Sequence, residues 1–169
     1  MKPSWIIGID PDVDKNGVAF LDCTTKKLKI MTYKFADTLD YLRRVKREAE
    51  VINTQFVVVI EAGWLNKAHW HLTAKDTKQM AAAIGNYVGR NHETGRKLAE
   101  MCEYFDIPYR LQKPLALKSG GLHLWNSKNG KITHEELAKF TGITQRTNQE
   151  GRDAALLAWT YAGFPIKTK

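Results

Sequence analysis

Residues 56–60, Phe-Val-Val-Val-Ile, are apolar without a break, and the run stops on Glu61. A strand with one wet face alternates apolar and polar positions. Five apolar residues in succession need cover on both faces, which puts this segment inside a sheet with helices above and below it. A second run, Trp5-Ile6-Ile7-Gly8-Ile9, stops in the same manner on Asp10. Two buried strands that each end on a carboxylate limit the chain to layered α/β architectures, and they single out the two acids.

The intervening sequence supplies the rest of a sheet. Asp10 to Gly17 is rich in turn residues and precedes Val18-Ala19-Phe20-Leu21-Asp22, a second strand. After the turn Thr24-Thr25-Lys26-Lys27, the stretch Leu28-Lys29-Ile30-Met31-Thr32-Tyr33 alternates like a strand with one solvated face. Leu39, Leu42, Val45 and Ala49 recur at helical spacing opposite Arg43, Arg44, Lys46 and Arg47, predicting an amphipathic helix over residues 37–52. A second helix is expected over residues 92–105, with Leu98, Met101, Cys102 and Phe105 on one face, followed by a fifth strand at Pro108-Tyr109-Arg110-Leu111. Thr133 and Glu136 form a capping-box pair ahead of a short helix from His134 to Phe140. The last helix is expected over residues 149–162. The order β-β-β-α-β-α-β-α-α predicts a five-stranded mixed sheet flanked by helices. With no repeat, low-complexity tract or linker, residues 1–169 read as a single domain.

Charge narrows the class of partner. The 169 residues carry 26 Lys and Arg against 18 Asp and Glu, a net charge of +8. A basic surface attracts polyanions by releasing their counterions, so nucleic acid is the first partner to consider. No apolar run approaches the roughly 18 residues of a membrane span, and no membrane partner is expected. Met1-Lys2-Pro3-Ser4-Trp5 leads straight into a short strand instead of a signal sequence, and two cysteines, Cys23 and Cys102, make a poor disulfide framework. A cytoplasmic protein with reduced thiols is expected.

If the strands ending on Asp10 and Glu61 lie parallel and adjacent, both acids sit at the edge where open α/β sheets keep their sites. The final helix adds Glu150 and Asp153, three apart and so on one face, with Asp153 heading the apolar stripe of Leu156 and Leu157. That stripe would pack on the sheet and aim Asp153 at the strand ends. Clustered carboxylates repel unless a proton or cation lies between them, and oxygen-only ligands select Mg²⁺ or Mn²⁺ over zinc. Each acid also has a purely structural reading. Asp10 could open a turn, Glu61 could stop a strand, Glu150 could close a capping box with Thr147, and Asp153 could favour a helix N-terminus.

These motifs resemble those of the RuvC-like Holliday-junction resolvases, in the RNase H-like superfamily. Ile7-Gly8-Ile9-Asp10-Pro11 is similar to the family's first-strand motif, Val59-Ile60-Glu61 to its second, and Glu150-x-x-Asp153-Ala154-Ala155 to its helix motif. The resemblance spans nearly the whole chain and implies an RNase H-like fold. It also implies Mg²⁺-dependent hydrolysis of branched DNA by a homodimer, with Asp10, Glu61, Glu150 and Asp153 as catalytic metal ligands. Trp64, three positions past the strand acid, stands where the family stacks an aromatic residue on an unpaired base. Lys118 and Lys131 look like the family's two late lysines, and Lys67 and Lys113 join them as expected DNA contacts. Asp12 in place of the usual glycine, Glu150 in place of Asp, and an atypical segment over residues 64–83 suggest a distant member, phage-borne.

Other signals are weaker. Asp12-Val13-Asp14-Lys15-Asn16-Gly17 imitates the start of a calcium loop, but its twelfth position is Cys23 and strands flank it, so a hairpin turn is expected. His69 and His71 would share a face on a strand and could hold zinc, but a loop offering Trp64 and Trp70 to bases fits the local composition better. Lys75, Lys78, Arg90, Arg96 and Lys97 are placed to track phosphates. The same acids would serve an RNase H-like hydrolase of RNA–DNA hybrids. A catalytically inactive nucleic-acid-binding relative is the third reading, and four intact acids argue against it.

Overall fold

The computed structural model describes residues 3–66, 77–115, 118–119, 122–123, 125 and 130–166. The readings that fall on Lys67, His69, Trp70, His71 and Lys75, and on the side chain of Lys118, lie outside the described residues.

Three strands, β1 (Trp5–Asp10), β2 (Asn16–Asp22) and β3 (Leu28–Tyr33), form the expected antiparallel meander, and α1 (Phe35–Val51) crosses back to β4 (Phe56–Glu61). A single 3-10 turn, Gly63–Leu65, follows β4. Next comes α2 (Lys78–Tyr104), which leads into β5 (Tyr109–Gln112). A short hairpin of two-residue strands, β6 (Lys118–Ser119) and β7 (Leu122–His123), then precedes α3 (His134–Thr141) and α4 (Gln149–Tyr161). The main sheet runs β3-β2-β1-β4-β5, with β1, β4 and β5 parallel and β2 and β3 antiparallel to their neighbours. This order and these directions are those of the RNase H-like fold.

Strand alternation sorts the core into two layers. Ile7 and Ile9 of β1, with Val58 and Ile60 of β4, face Leu42 and Val45 of α1 and Leu98 and Cys102 of α2. Ile6 of β1, with Val57 and Val59 of β4, faces Leu157, Ala158 and Trp159 of α4. Ala19 and Ile30 extend that second layer toward Ala154, Ala155, Leu137 of α3 and Ile132. The apolar runs of β1 and β4 are therefore buried on both faces, as their lack of alternation demands.

Helix α4 lies unusually close to the sheet because two strand positions lack a side chain. A Cβ on Gly8 would stand 2.2 Å from the Ala154 carbonyl oxygen, and one on Gly17 would stand 2.1 Å from that of Glu150. Neither distance is compatible with any side chain, so the helix backbone rests directly on β1 and β2.

The structure departs from the sequence reading at three points. Helix α2 begins at Lys78, not near residue 92, and its 27 residues extend about 40 Å. The extra turns are hard to read from sequence because residues 78–91 are mostly exposed and carry Gly85 and Gly89, while burial begins only at Gly95. Thr77 caps the helix by accepting from the Met80 N–H. Helix α4 is capped by Asn148, whose Oδ1 accepts from the Gly151 N–H at 3.1 Å, so Thr147 and Glu150 form no capping box. The β6–β7 hairpin has no counterpart in the sequence pattern. The capping box at Thr133 and Glu136 is present as read from the sequence. Cys23 and Cys102 are both free thiols.

Candidate active site

Asp10 and Glu61 meet for two reasons. The parallel register pairs Ile9 with Ile60, so the next residues of each strand, the two acids, emerge side by side. Alternation then turns both away from Ile9 and Ile60, toward the face that carries α4. The direct seating of α4 on Gly17, the cross-strand partner of Asp10, brings Glu150 and Asp153 to the same edge. The site is thus assembled from β1, β4 and the first two turns of α4.

Electrostatics registers the crowding. The Asp10 carboxyl is held well above the ordinary carboxylate range, first by burial and then by the charges of Glu61 and Asp153, with Glu150 adding to the push and Lys131 opposing it. Glu61 is raised to about 7, again by burial first and by Asp153 second, with Lys131 working against both. Lys131 responds in the complementary direction. Burial would lower its pKa, but the charge and hydrogen bond of Asp153, with Asp10 and Glu61 behind, leave it raised.

Asp153 is held at both oxygens. The Lys131 ammonium donates to Oδ2 at 2.6 Å, and the Gln149 amide donates to Oδ1 at 2.9 Å. Its side chain is only 14% exposed, so these two partners supply most of what water would otherwise give. Among the described residues no three His, Cys, Asp or Glu side chains close around a single point. In donor chemistry, however, the four acids fit a hard divalent cation: all their ligand atoms are oxygens, and three of them, Asp153, Asp10 and Glu61, act on the one lysine.

The loop after Asp10 is tied down from two directions. Asn16 is fully buried, takes the Asp12 N–H on its Oδ1 at 3.1 Å and donates to the Thr38 hydroxyl at 3.0 Å. Asp12 does not add its charge to the acid cluster, although it is only two residues from Asp10. Its Oδ1 accepts from the Asp14 N–H at 2.8 Å, and its Oδ2 accepts from the Tyr87 hydroxyl at 2.7 Å and the Asn91 amide at 3.1 Å. Burial opposes ionisation of Asp12, but these bonds outweigh it and lower its pKa. Asp12 therefore fastens the loop after Asp10, the turn of the β1–β2 hairpin, to α2.

No family model matches the sequence, and no curated protein matches it. Solved structures do. The chain is similar to Thermus thermophilus RuvC in complex with a Holliday junction substrate, at 14% identity, over 94% of this chain and 92% of that chain, with a TM-score of 0.48. It is similar to a second T. thermophilus RuvC structure at 13% identity, with the same coverages and a TM-score of 0.45. It is also similar to a Fowlpox virus resolvase in complex with substrate Holliday junction DNA, at 16% identity, over 94% of this chain and 97% of that one, with a TM-score of 0.38. These identities are too low to carry residue roles across, and the site rests on its own geometry.

The remaining expected residues are distributed as follows. Trp64 lies in the 3-10 turn just past Glu61, but it is not a free platform. Its ring sits where a Cβ on Gly95 would be, 2.5 Å away, with the Arg96 guanidinium 5.3 Å from the ring centre and His92 at its edge. It is partly buried against α2. Lys113 lies just beyond β5, and Lys118 lies on β6. Sequence reasoning missed Gln149, Asn16, Gly8 and Gly17. Only the glycines carried a signal, since a glycine inside an otherwise apolar strand marks a close backbone approach.

Proposed function

We propose that the protein is a metal-dependent, structure-selective DNA endonuclease that resolves four-way junctions or other branched DNA by hydrolysing phosphodiesters. The observation that carries this reading is that Glu61, Glu150 and Asp153, from β4 and α4, all act electrostatically on the buried Asp10 of β1, with Asp10 and Glu61 raised in pKa by burial and by neighbouring carboxylates. Structural carboxylates are ordinarily placed apart or paired one to one with cations, since burying like charges together costs stability. Asp10, Glu61, Glu150 and Asp153 are the residues that would hold Mg²⁺ or Mn²⁺. When bound, such ions activate a water and stabilise the leaving 3′-oxygen. Lys131 and Gln149 keep Asp153 oriented, and Asn16 and Asp12 keep the loop carrying Asp10 in place.

The net charge of +8 suits a polyanion, and Lys113, Arg90, Arg96 and Lys97 offer cationic groups for backbone phosphates. The preference for branched DNA draws on the sequence motifs and on Trp64, which lies in the 3-10 turn just past Glu61. Because a four-way junction presents two equivalent strands, the working unit is a homodimer. Sedimentation checks this: a monomer at concentrations where junctions are cut symmetrically would refute it.

The test is purified protein with labelled four-way junction, flap, duplex and RNA–DNA hybrid, each with and without Mg²⁺. Cleavage of the junction only with Mg²⁺ is the expected result. Preferential cutting of the hybrid would replace this reading with the RNase H-like hydrolase, and no cutting of any substrate would overturn both.

A further inference from the structure

Arg152 stands between the two helix acids, yet it turns away from them. Its Nε donates to the Ile132 carbonyl at 2.9 Å, its Nη1 to the Thr147 carbonyl at 2.8 Å, and its Nη2 to the Gln149 side-chain oxygen at 2.8 Å. The guanidinium is therefore spread across acceptors on three separate pieces of chain: the segment before α3, the loop before α4, and the first turn of α4. Two of those pieces carry the partners of Asp153. Ile132 follows Lys131 directly, and Gln149 is itself the donor to Asp153 Oδ1.

The polarity of this relay has one consistent arrangement. A guanidinium only donates, so it demands the oxygen end of the Gln149 amide. An ionised carboxylate only accepts, so it demands the nitrogen end. Arg152 thereby selects the amide orientation that Asp153 requires. It also fixes the Ile132 carbonyl, and with it the backbone from which Lys131 reaches Asp153 Oδ2. Residues 131–133 belong to no helix or strand, and this bond joins them to α4 beside the packing of Ile132 on Ala154 and Ala155.

We propose that Arg152 is the positioning residue of the site, setting both the Gln149 amide and the Lys131 ammonium on Asp153 so that its carboxylate is held in one orientation for a divalent cation. This rests on the reading of the four acids as cation ligands. Arg152 touches none of the reacting groups, and its effect passes entirely through Gln149 and residues 131–132. Lysine cannot replace it, because a single ammonium on a flexible stem lacks the planar fork that reaches three directions at once.

The experiment titrates Mn²⁺ by its free-ion paramagnetic signal into wild type, Arg152→Lys, Arg152→Met, Gln149→Met and Asp153→Asn, with thermal melting of each. Outer partners of ligands typically contribute about 10–100-fold to metal affinity. A loss of that size is expected for both Arg152 variants, and a smaller loss for Gln149→Met, which leaves the bonds to Ile132 and Thr147 in place. Junction cleavage by the Arg152 variants should be lost at low Mn²⁺ and return at saturating Mn²⁺ with the junction KM unchanged, a recovery that a fold defect would not show. Arg152 variants that melt cooperatively and bind Mn²⁺ as tightly as wild type overturn the proposal, as does activity that excess Mn²⁺ fails to restore. If the Arg152 variants do not fold, Gln149→Met decides, and wild-type affinity in it overturns the proposal. Asp153→Asn binding Mn²⁺ as wild type does, or wild type binding none, overturns the underlying reading of the acids and this proposal with it.

Discussion

The raised pKa of Glu61 makes a prediction about stability that needs no substrate. A carboxyl whose folded pKa exceeds its unfolded value binds its proton more tightly in the folded state. Its contribution therefore favours folding at low pH and is lost as pH rises through the folded pKa. For Glu61 the folded value is about 7 against an ordinary 4.5, so the window runs between those values. In metal-free protein at about pH 8, keeping Glu61 ionised costs about 3 kcal/mol, because a tenfold change in proton affinity is worth about 1.4 kcal/mol. Glu61→Gln keeps the shape and removes the charge. Near pH 8 without metal, the variant should melt above wild type by up to about 6–12 °C, at about 2–4 °C per kcal/mol for a chain of this size. Near pH 5 the difference should shrink to under about 1 kcal/mol, because wild-type Glu61 is then protonated in the fold. Saturating Mn²⁺ should narrow that gap, since ligand at about a hundred times its Kd adds about 2.7 kcal/mol to wild type and less to a variant short of one ligand. The assay is differential scanning calorimetry across pH with chelator or Mn²⁺. A metal-free Glu61→Gln that melts at or below wild type near pH 8 would refute the claim that the cluster is held together against its own charge.

The other expectations are simpler to state. Asp10→Asn and Asp153→Asn should each abolish junction cleavage while leaving junction binding equal or tighter, read by gel shift and cleavage on the same preparations. Two variants with wild-type rates would show the acids to be structural, and Glu150→Gln should lose less than either. Gly17→Ala should destabilise the fold by at least the about 1–3 kcal/mol typical of overpacking, measured by denaturant unfolding, because its methyl would meet the Glu150 carbonyl at 2.1 Å and not a side chain that can swing aside. Trp64→Ala should lower cleavage more than binding, and because the ring rests on Gly95 it should also lower the melting temperature. Normal cleavage by a variant that still melts cooperatively would remove Trp64 from the site's workings.

What is legible in the sequence follows from how local the information is. The unbroken apolar runs before Asp10 and Glu61 are sufficient to give two doubly covered strands, and the spacing of Glu150 and Asp153 is sufficient to give a helix face. The first half of α2 is weakly legible: Met80, Ile84, Tyr87 and Val88 recur at helical spacing, but Gly85 and Gly89 lie among them and lower the local helix propensity. Asp12 and Arg152 stand in the sequence as added charges near the acids, since sequence alone places a residue beside its neighbours. The chain instead turns each away, Asp12 toward Tyr87 and Asn91 and Arg152 toward Ile132, Thr147 and Gln149. Thr147 loses the helix cap to Asn148 by one position, an ambiguity within the ordinary uncertainty of helix ends.

The contact of α4 with Gly8 and Gly17 bears on how such a site can change over generations of sequence drift. Where side chains separate a helix from a sheet, substitutions of slightly different volume can nudge the helix in or out, and selection can tune the gap in small steps. Here backbone lies on backbone, and the gap has no adjustable component. Neighbouring core positions are free to vary, while the spacing between Asp10 and the helix acids stays where the two main chains stop each other. A lineage that needed a wider site could not approach it gradually through Gly8 or Gly17. It would have to shift the whole helix at once.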